Sequence, residues 1–173
     1  LAQVKSVLFG NTLSSLPFCV YGGIVADNEQ AARTLREAAC SLAETLKVGA
    51  LELRNREPSS TGWPVKELYY TFRKTIDPDD EVNLKAIPNR QRAMVRKGIE
   101  EGLHSEWDEA TGRLFRVYSE SVRNLGTPVF SAKYLRILRE VFGDLCSVLM
   151  ITHDGQDVAA VMSFYFRDEV IPY

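Results

Sequence analysis

Little in this sequence belongs to the usual equipment of metal or covalent catalysis. Histidine occurs only twice in 173 residues, at His104 and His153, and neither has a partner at ligand spacing. That excludes a sequence-local zinc motif. The three cysteines, Cys19, Cys40 and Cys146, are far apart inside apolar stretches, and the expectation for them is buried, reduced thiols. There is no G-x-S-x-G elbow, no P-loop and no dinucleotide fingerprint, and no base accompanies a serine or cysteine at a recognisable spacing. Covalent hydrolysis therefore has no support. A run of 18 apolar residues is also missing, as is a basic-then-apolar leader, so the expectations are no membrane span, no secretion signal and, by default, a cytoplasmic location. Charge of one sign is not in excess either: the formal net charge is -2 with 25% charged residues, and nothing overall demands nucleic acid or a membrane as partner.

What is present describes a globular chain. Hydrophobic residues make up 45% of the sequence, enough for a core in one domain or two small ones. The chain opens on LAQVKSVLFG without a Met and stops at FRDEVIPY, each end inside or just after a strand-like run. The expectation is a part of a longer protein.

Residues 3–9 and 15–25 read as strands with a turn at Asn11–Ser14. Asp27 and Gln30 have the form of a capping box, and Leu35, Ala39, Leu42 and Leu46 then recur at helical spacing, which predicts a helix over 28–47. ALELRNREP reads as a strand that leaves its sheet near Arg54, Pro58 to Pro64 as a loop, and KELYYTFRKTI as a further strand. Pro78 opens a short helix, and Pro88 starts a basic one that Gly102 closes. Phe115, Tyr118, Val122 and Leu125 form a helical stripe ending at Gly126, while Ser131 caps a helix carrying Leu135, Leu138 and Phe142 that ends at Gly143. LCSVLMIT and DVAAVMSFYF flank Asp154-Gly155, a strong hairpin signal. The sum is an α/β or α+β protein with a largely mixed sheet.

Four stretches invite a functional reading. On the helix PNRQRAMVRKGIEEGL, Arg92 and Arg96 are four apart and share a face that Arg90 and Lys97 extend. Guanidinium groups grip phosphate or carboxylate at two points, so the face suits an anionic substrate, although a solvated helix surface is the plainer reading. Gly22-Gly23, beside Tyr21, is either a bend required by the chain itself or a floor for a ligand. Arg54 alternates with Arg56 along a strand end, and RNLGTPVF combines a basic helix end with a glycine stop and a proline turn.

SLPFCVYGGIVAD, LELRNREP, RAMVRKGIEEGL and VYSESVRNLGTPVFSAKYL resemble the corresponding stretches of FemAB-type proteins, in particular the FemAB-related branch associated with the PEP-CTERM/exosortase system. RNLGTPVF is the most specific, and the resemblance runs over nearly the whole chain. It implies two GNAT-like (acyl-CoA N-acyltransferase) domains, with 1–87 the closing part of the first and 88–173 the opening part of the second. In such a fold the strand and helix that cradle the donor's pyrophosphate follow the hairpin, which would put the second domain's donor site beyond residue 173.

The activity implied is N-acyl transfer: an aminoacyl group from aminoacyl-tRNA, or an acyl group from acyl-CoA, to an amine on a cell-envelope or exopolysaccharide-related precursor. Both donors are co-substrates, and no tightly bound cofactor or metal is implied. By resemblance Arg92, Arg96 and Lys97 meet anionic groups of donor or acceptor. Tyr21, Gly22 and Gly23 belong to the cleft wall, Arg54 is a further candidate for substrate binding, and Arg123, Asn124 and Phe130 of the second domain face the same cleft. An acyl-CoA-dependent N-acetyltransferase acting on a glycan or small amine, and a non-catalytic binding module of the same fold, remain open alternatives.

Overall fold

The computed structural model describes residues 1–8, 10–57, 62–66 and 70–173. Backbone packing divides the chain into two compact units, Leu1–Phe72 and Arg73–Tyr173. The boundary expected at 87/88 concerns GNAT-like domains and rests on the resemblance, so it is a different division. Among the described residues, five α-helices and two sheets make a mixed α+β protein.

The first unit is built on strands β1 (Ala2–Ser6) and β2 (Gly10–Ser14), which pair antiparallel from Ala2↔Ser14 to Ser6↔Gly10. Helix α1 (Glu29–Thr45) carries the chain to β3 (Ala50–Glu52), which lies parallel to β2 with Leu13 opposite Leu51. Among the described residues of this unit, Leu13 and Ala39 are the buried apolar side chains. The expected turn at Asn11–Ser14 is strand instead. Asn11 has a use that its turn propensity hides: its side-chain amide accepts from Gln3 Nε2 at 2.8 Å and donates to the Lys47 carbonyl at 3.2 Å, tying down the turn that follows α1.

The strand expected over 15–25 is absent. Leu16 and Phe18 adopt φ of 50° and 69°, left-handed values incompatible with extended backbone, and Pro17 between them has no N–H for a ladder. The helix that follows starts one residue later than the expected box. Asn28, with φ -154° and ψ 165°, is the N-cap, and its side chain accepts from Ala31 N at 2.9 Å. Of the strand expected over KELYYTFRKTI, residues 67–69 lie outside the described residues, and 70–76 have no regular secondary structure. Four residues of the loop expected at 58–64, 58–61, also lie outside them.

The second unit opens with α2 (Asp80–Ala86) and α3 (Asn89–Glu100), whose ends match the proline and glycine signals. Strand β4 (His104–Asp108) follows, then the helix pair α4 (Gly112–Asn124) and α5 (Ala132–Phe142), a single 3-10 turn, and strands β5 (Cys146–His153), β6 (Gln156–Phe166) and β7 (Glu169–Pro172). The sheet has the order β4-β5-β6-β7 and every neighbouring pair is antiparallel, so only the first unit's sheet is mixed. Asp154 and Gly155 both have positive φ, 49° and 75°, as a two-residue type I′ turn needs.

Alternation along β5 buries Cys146, Val148 and Met150 on one face. There they meet Met162 of β6, Leu114 of α4 and Leu135 of α5 in one core. No described helix is long and apolar enough to cross a membrane.

Candidate functional site

The glycine pair is explained by the chain itself. After Ser15 extends the parallel ladder by donating to the Glu52 carbonyl at 2.9 Å, the segment 15–23 folds back along the exit of β3, and Gly22 N donates to the Arg54 carbonyl at 3.0 Å. A Cβ on Gly22 would lie 2.8 Å from both the Leu16 Cβ and the Ser15 carbonyl oxygen. One on Gly23 would lie 2.7 Å from the Asn55 Cα, with the Asn55 side-chain oxygen nearer still. The Ser15 carbonyl oxygen and the Asn55 Cα are backbone atoms that cannot swing aside, so a side chain at either position forces the chain itself to shift.

Arg54 holds the same turn together. Its Nε donates to Glu52 Oε1 at 2.6 Å, its NH1 to the Cys19 carbonyl at 2.7 Å, and its backbone N–H to Ser15 Oγ at 2.9 Å. The structure thus brings Gly22, Gly23 and Arg54 together, with Tyr21 half-buried next to them.

On α3 the basic face forms as expected. Asn89, Arg92, Ala93, Arg96, Lys97 and Glu100 line an open groove of about 340 Å³, all from one helix. Arg92 is partly committed: its NH1 donates to the Lys85 carbonyl at 3.0 Å and its NH2 to Asn89 Oδ1, which fastens the end of α2 to the start of α3. Arg96 and Lys97 are exposed and make no ion pair with any described residue. The groove therefore has two uncommitted cations and one that also serves the fold.

A second, shallow groove of about 640 Å³ runs along the end of α4, lined by Arg116, Ser119, Glu120, Val122, Arg123, Thr127, Pro128 and Val129. It shares no lining residue with the first. Arg123 stands 3.8 Å from Glu120, and Asn124 is exposed at the last turn. Phe130 does not line it: its ring packs 4.9 Å from Tyr134 and is stacked 6.4 Å from Tyr118.

The best-built polar cluster was not singled out from the sequence. Arg113, on the first turn of α4, donates from Nε to Asp157 Oδ1 at 3.0 Å, bonds it again through NH2, and reaches Glu106 Oε1 at 2.6 Å through NH1. Arg116 stands 3.9 Å from the other Asp157 oxygen. The hydrogen bonds from Arg113 hold the Asp157 carboxyl below the ordinary carboxylate range, and Asp157 and Glu106 raise the guanidinium in return. Nothing in a strand reading of QDVAAV marks Asp157 as a partner, because the pairing residues are 44 apart in sequence.

Cys146 is buried, and burial pushes its thiol up, against the opposing effect of Arg139. Cys19 and Cys40 are only half-buried, unlike the expectation, and all three thiols are free. Among the described residues no three His, Cys, Asp or Glu side chains gather as metal ligands. Neither a family model nor a curated protein matches the sequence.

Proposed function

We propose that the chain is part of an N-acyltransferase of FemAB type, acylating an amine on a cell-envelope or exopolysaccharide-related precursor. The observation that carries this reading is the order of elements in the two units. In the first, an antiparallel hairpin is followed by a helix that returns the chain to a parallel strand. In the second, a helix pair is inserted after the first strand of an antiparallel meander. These orders agree with the closing part of one GNAT-like domain and the opening part of another. A fold hosts many chemistries, so this supports a reaction class and leaves the substrate to direct assay.

The chemistry needs little from side chains. The acceptor amine attacks the donor's ester or thioester carbonyl, a C–N bond forms, the C–O or C–S bond breaks, and the amine's proton ends on the departing alkoxide or thiolate through solvent. Alignment and backbone N–H groups facing the oxyanion are sufficient contributions, and no nucleophile of the protein is required. In this reading Arg92, Arg96 and Lys97 attract the anionic part of donor or acceptor, and the Gly22-Gly23 turn shapes one wall of the first domain's cleft.

Thermal-shift titration of the full-length protein with CoA thioesters and with charged tRNA, followed by mass spectrometry of the acceptor, tests the proposal. Stabilisation by one donor with mass gained by an amine supports it and identifies the donor. Stabilisation by an anionic glycan or peptide without transfer favours the non-catalytic binding module. No shift and no transfer with either donor removes the acyltransferase reading.

A further inference from the structure

A helix of a folded unit normally hides an apolar stripe. Helix α3 hides none of its 12 residues. At about 100° per residue, Met94, Val95, Gly98 and Ile99 fall on one side of it. Met94 and Ile99 are 66% and 68% exposed, and Val95 is 43% exposed. Leu103 lengthens this strip. Its N–H donates to the Gly98 carbonyl at 3.0 Å, and a Cβ on Gly98 would lie 2.9 Å from Leu103 Cδ1, so Leu103 folds back over the helix end. Cations border the strip along both edges: Arg90 and Lys97 are helical neighbours of Met94, and Arg92 and Arg96 precede Val95 and Ile99 by one turn. Glu100 is on the opposite side, and Glu101 caps the helix end. The groove lined by Ala93 and Glu100 is also on that opposite side, so the strip is a second surface of the same helix.

We propose that this side of α3 docks on the surface of an anionic lipid bilayer, with Met94, Val95, Ile99 and Leu103 at the ends of the acyl chains and the bordering cations at the lipid phosphates. The inference goes beyond the acyltransferase reading and does not depend on it. The pattern of charge selects the occupant. A protein partner, or another segment of this chain, packed on the strip would take the bordering cations out of water, and each would need a carboxylate in register to offset that cost. A bilayer makes no such demand, because the aliphatic stems of Arg and Lys lie along the apolar layer while their charged heads rise to the headgroups. RNA would engage the cations and leave the apolar strip in water.

The attachment is reversible, since one short helix with a narrow apolar strip is a single anchoring signal. Each Lys or Arg close to an anionic surface strengthens binding by about fivefold. Arg90, Arg96 and Lys97 make no ion pair with any described residue and contribute in full. Arg92 contributes less, being held by the Lys85 carbonyl and Asn89.

Co-sedimentation of the full-length protein with vesicles tests this, comparing pure phosphatidylcholine with phosphatidylcholine containing about 30% phosphatidylglycerol at about 0.1 M salt. The expected result is binding to the anionic vesicles that is at least about tenfold weaker on the neutral ones, and weaker by a similar factor at about 0.5 M salt. Arg90→Gln lowers it about fivefold, whereas Lys133→Gln, the same change of charge on the exposed side of α5, leaves it unchanged. Met94→Ser/Ile99→Ser lowers it at least about tenfold with every charge in place, and keeps the melting temperature because both side chains stand in solvent. No binding to the anionic vesicles overturns the proposal, as does equal binding to both lipid compositions. So does binding that persists undiminished in both Arg90→Gln and Met94→Ser/Ile99→Ser, or capture of an RNA oligonucleotide in place of the vesicles. The vesicles hold neither donor nor acceptor, so a failed transfer assay and a failed binding assay are read separately.

Discussion

At the scale of single residues, the Gly22-Gly23 pair decides between two roles that look identical in a sequence. Both a ligand floor and a tight chain crossing require the absence of a Cβ, and here the space is taken by Ser15, Leu16 and Asn55 of the same unit. Overpacking against backbone typically costs about 1–3 kcal/mol. Gly23→Ala should therefore lower the stability of the first unit by that amount, whereas Gly112→Ala, where a Cβ would meet nothing within 4 Å, should be neutral or slightly stabilising. Chemical denaturation of the two variants measures the contrast. Unchanged stability in Gly23→Ala with weakened donor or acceptor binding would return the pair to the role of ligand floor. The same logic applies to Arg54: the bonds of its guanidinium to Glu52 and to the Cys19 carbonyl give a structural reason for the residue that its position at a strand end could not reveal.

At the scale of elements, the readable signals were those with a local physical cause. The periodic stripes of α1, α4 and α5, the Ser131 cap, the Pro88 start of α3 and the Asp-Gly turn between β5 and β6 all act within a few residues, and each is found where the pattern put it. Strands β4 and β7 were missed for the opposite reason. Both are sheet edges; HSEWD is almost wholly exposed, so it shows no clean apolar alternation, and EVIP carries a proline that an edge strand tolerates. Of the candidate site, the α3 face was legible as helical charge spacing, while the Arg113–Asp157 pair was not, since it joins α4 to β6 only through the tertiary fold. That pair makes a pH prediction. Asp157 has a folded pKa below its unfolded value, so its contribution is full above the ordinary carboxylate range of about 4 and is lost as the pH falls through the lowered value. Arg113 is shifted upward and stays charged in both states across this range, so it adds no slope. The stability gap between wild type and Asp157→Asn should then be constant from about pH 8 to 5 and narrow towards pH 2, as followed by urea unfolding. A gap independent of pH would mean that Asp157 has the same pKa in the folded and unfolded states, so that Arg113 does not shift it.

At the scale of the whole molecule, the two units differ in how much apolar surface they bury. Among the described residues the first buries Leu13 and Ala39, and the second has a contiguous cluster of Leu114, Leu135, Cys146, Val148, Met150 and Met162. Fully burying a Val, Leu or Met side chain contributes about 1.5–3 kcal/mol, and alanine contributes less, so the second unit's core is worth several times that of the first. Regions with few buried apolar contacts open locally at lower free energy than the strands of a continuous core. The amides of β5 and β6 should therefore be the slowest to exchange, and those of β1 and β2 at least about a hundredfold faster, which corresponds to an opening free energy lower by roughly 2.7 kcal/mol. Hydrogen exchange followed by mass spectrometry on peptides from residues 1–14 and 146–166 reads this directly. If both sets exchanged at one common rate, the chain would unfold as a single cooperative block, and a small local core in the first unit could not be what limits its stability. If the difference appears and shrinks when a donor or acceptor binds, the ligand binds the folded first unit and gives up part of its binding free energy to order it.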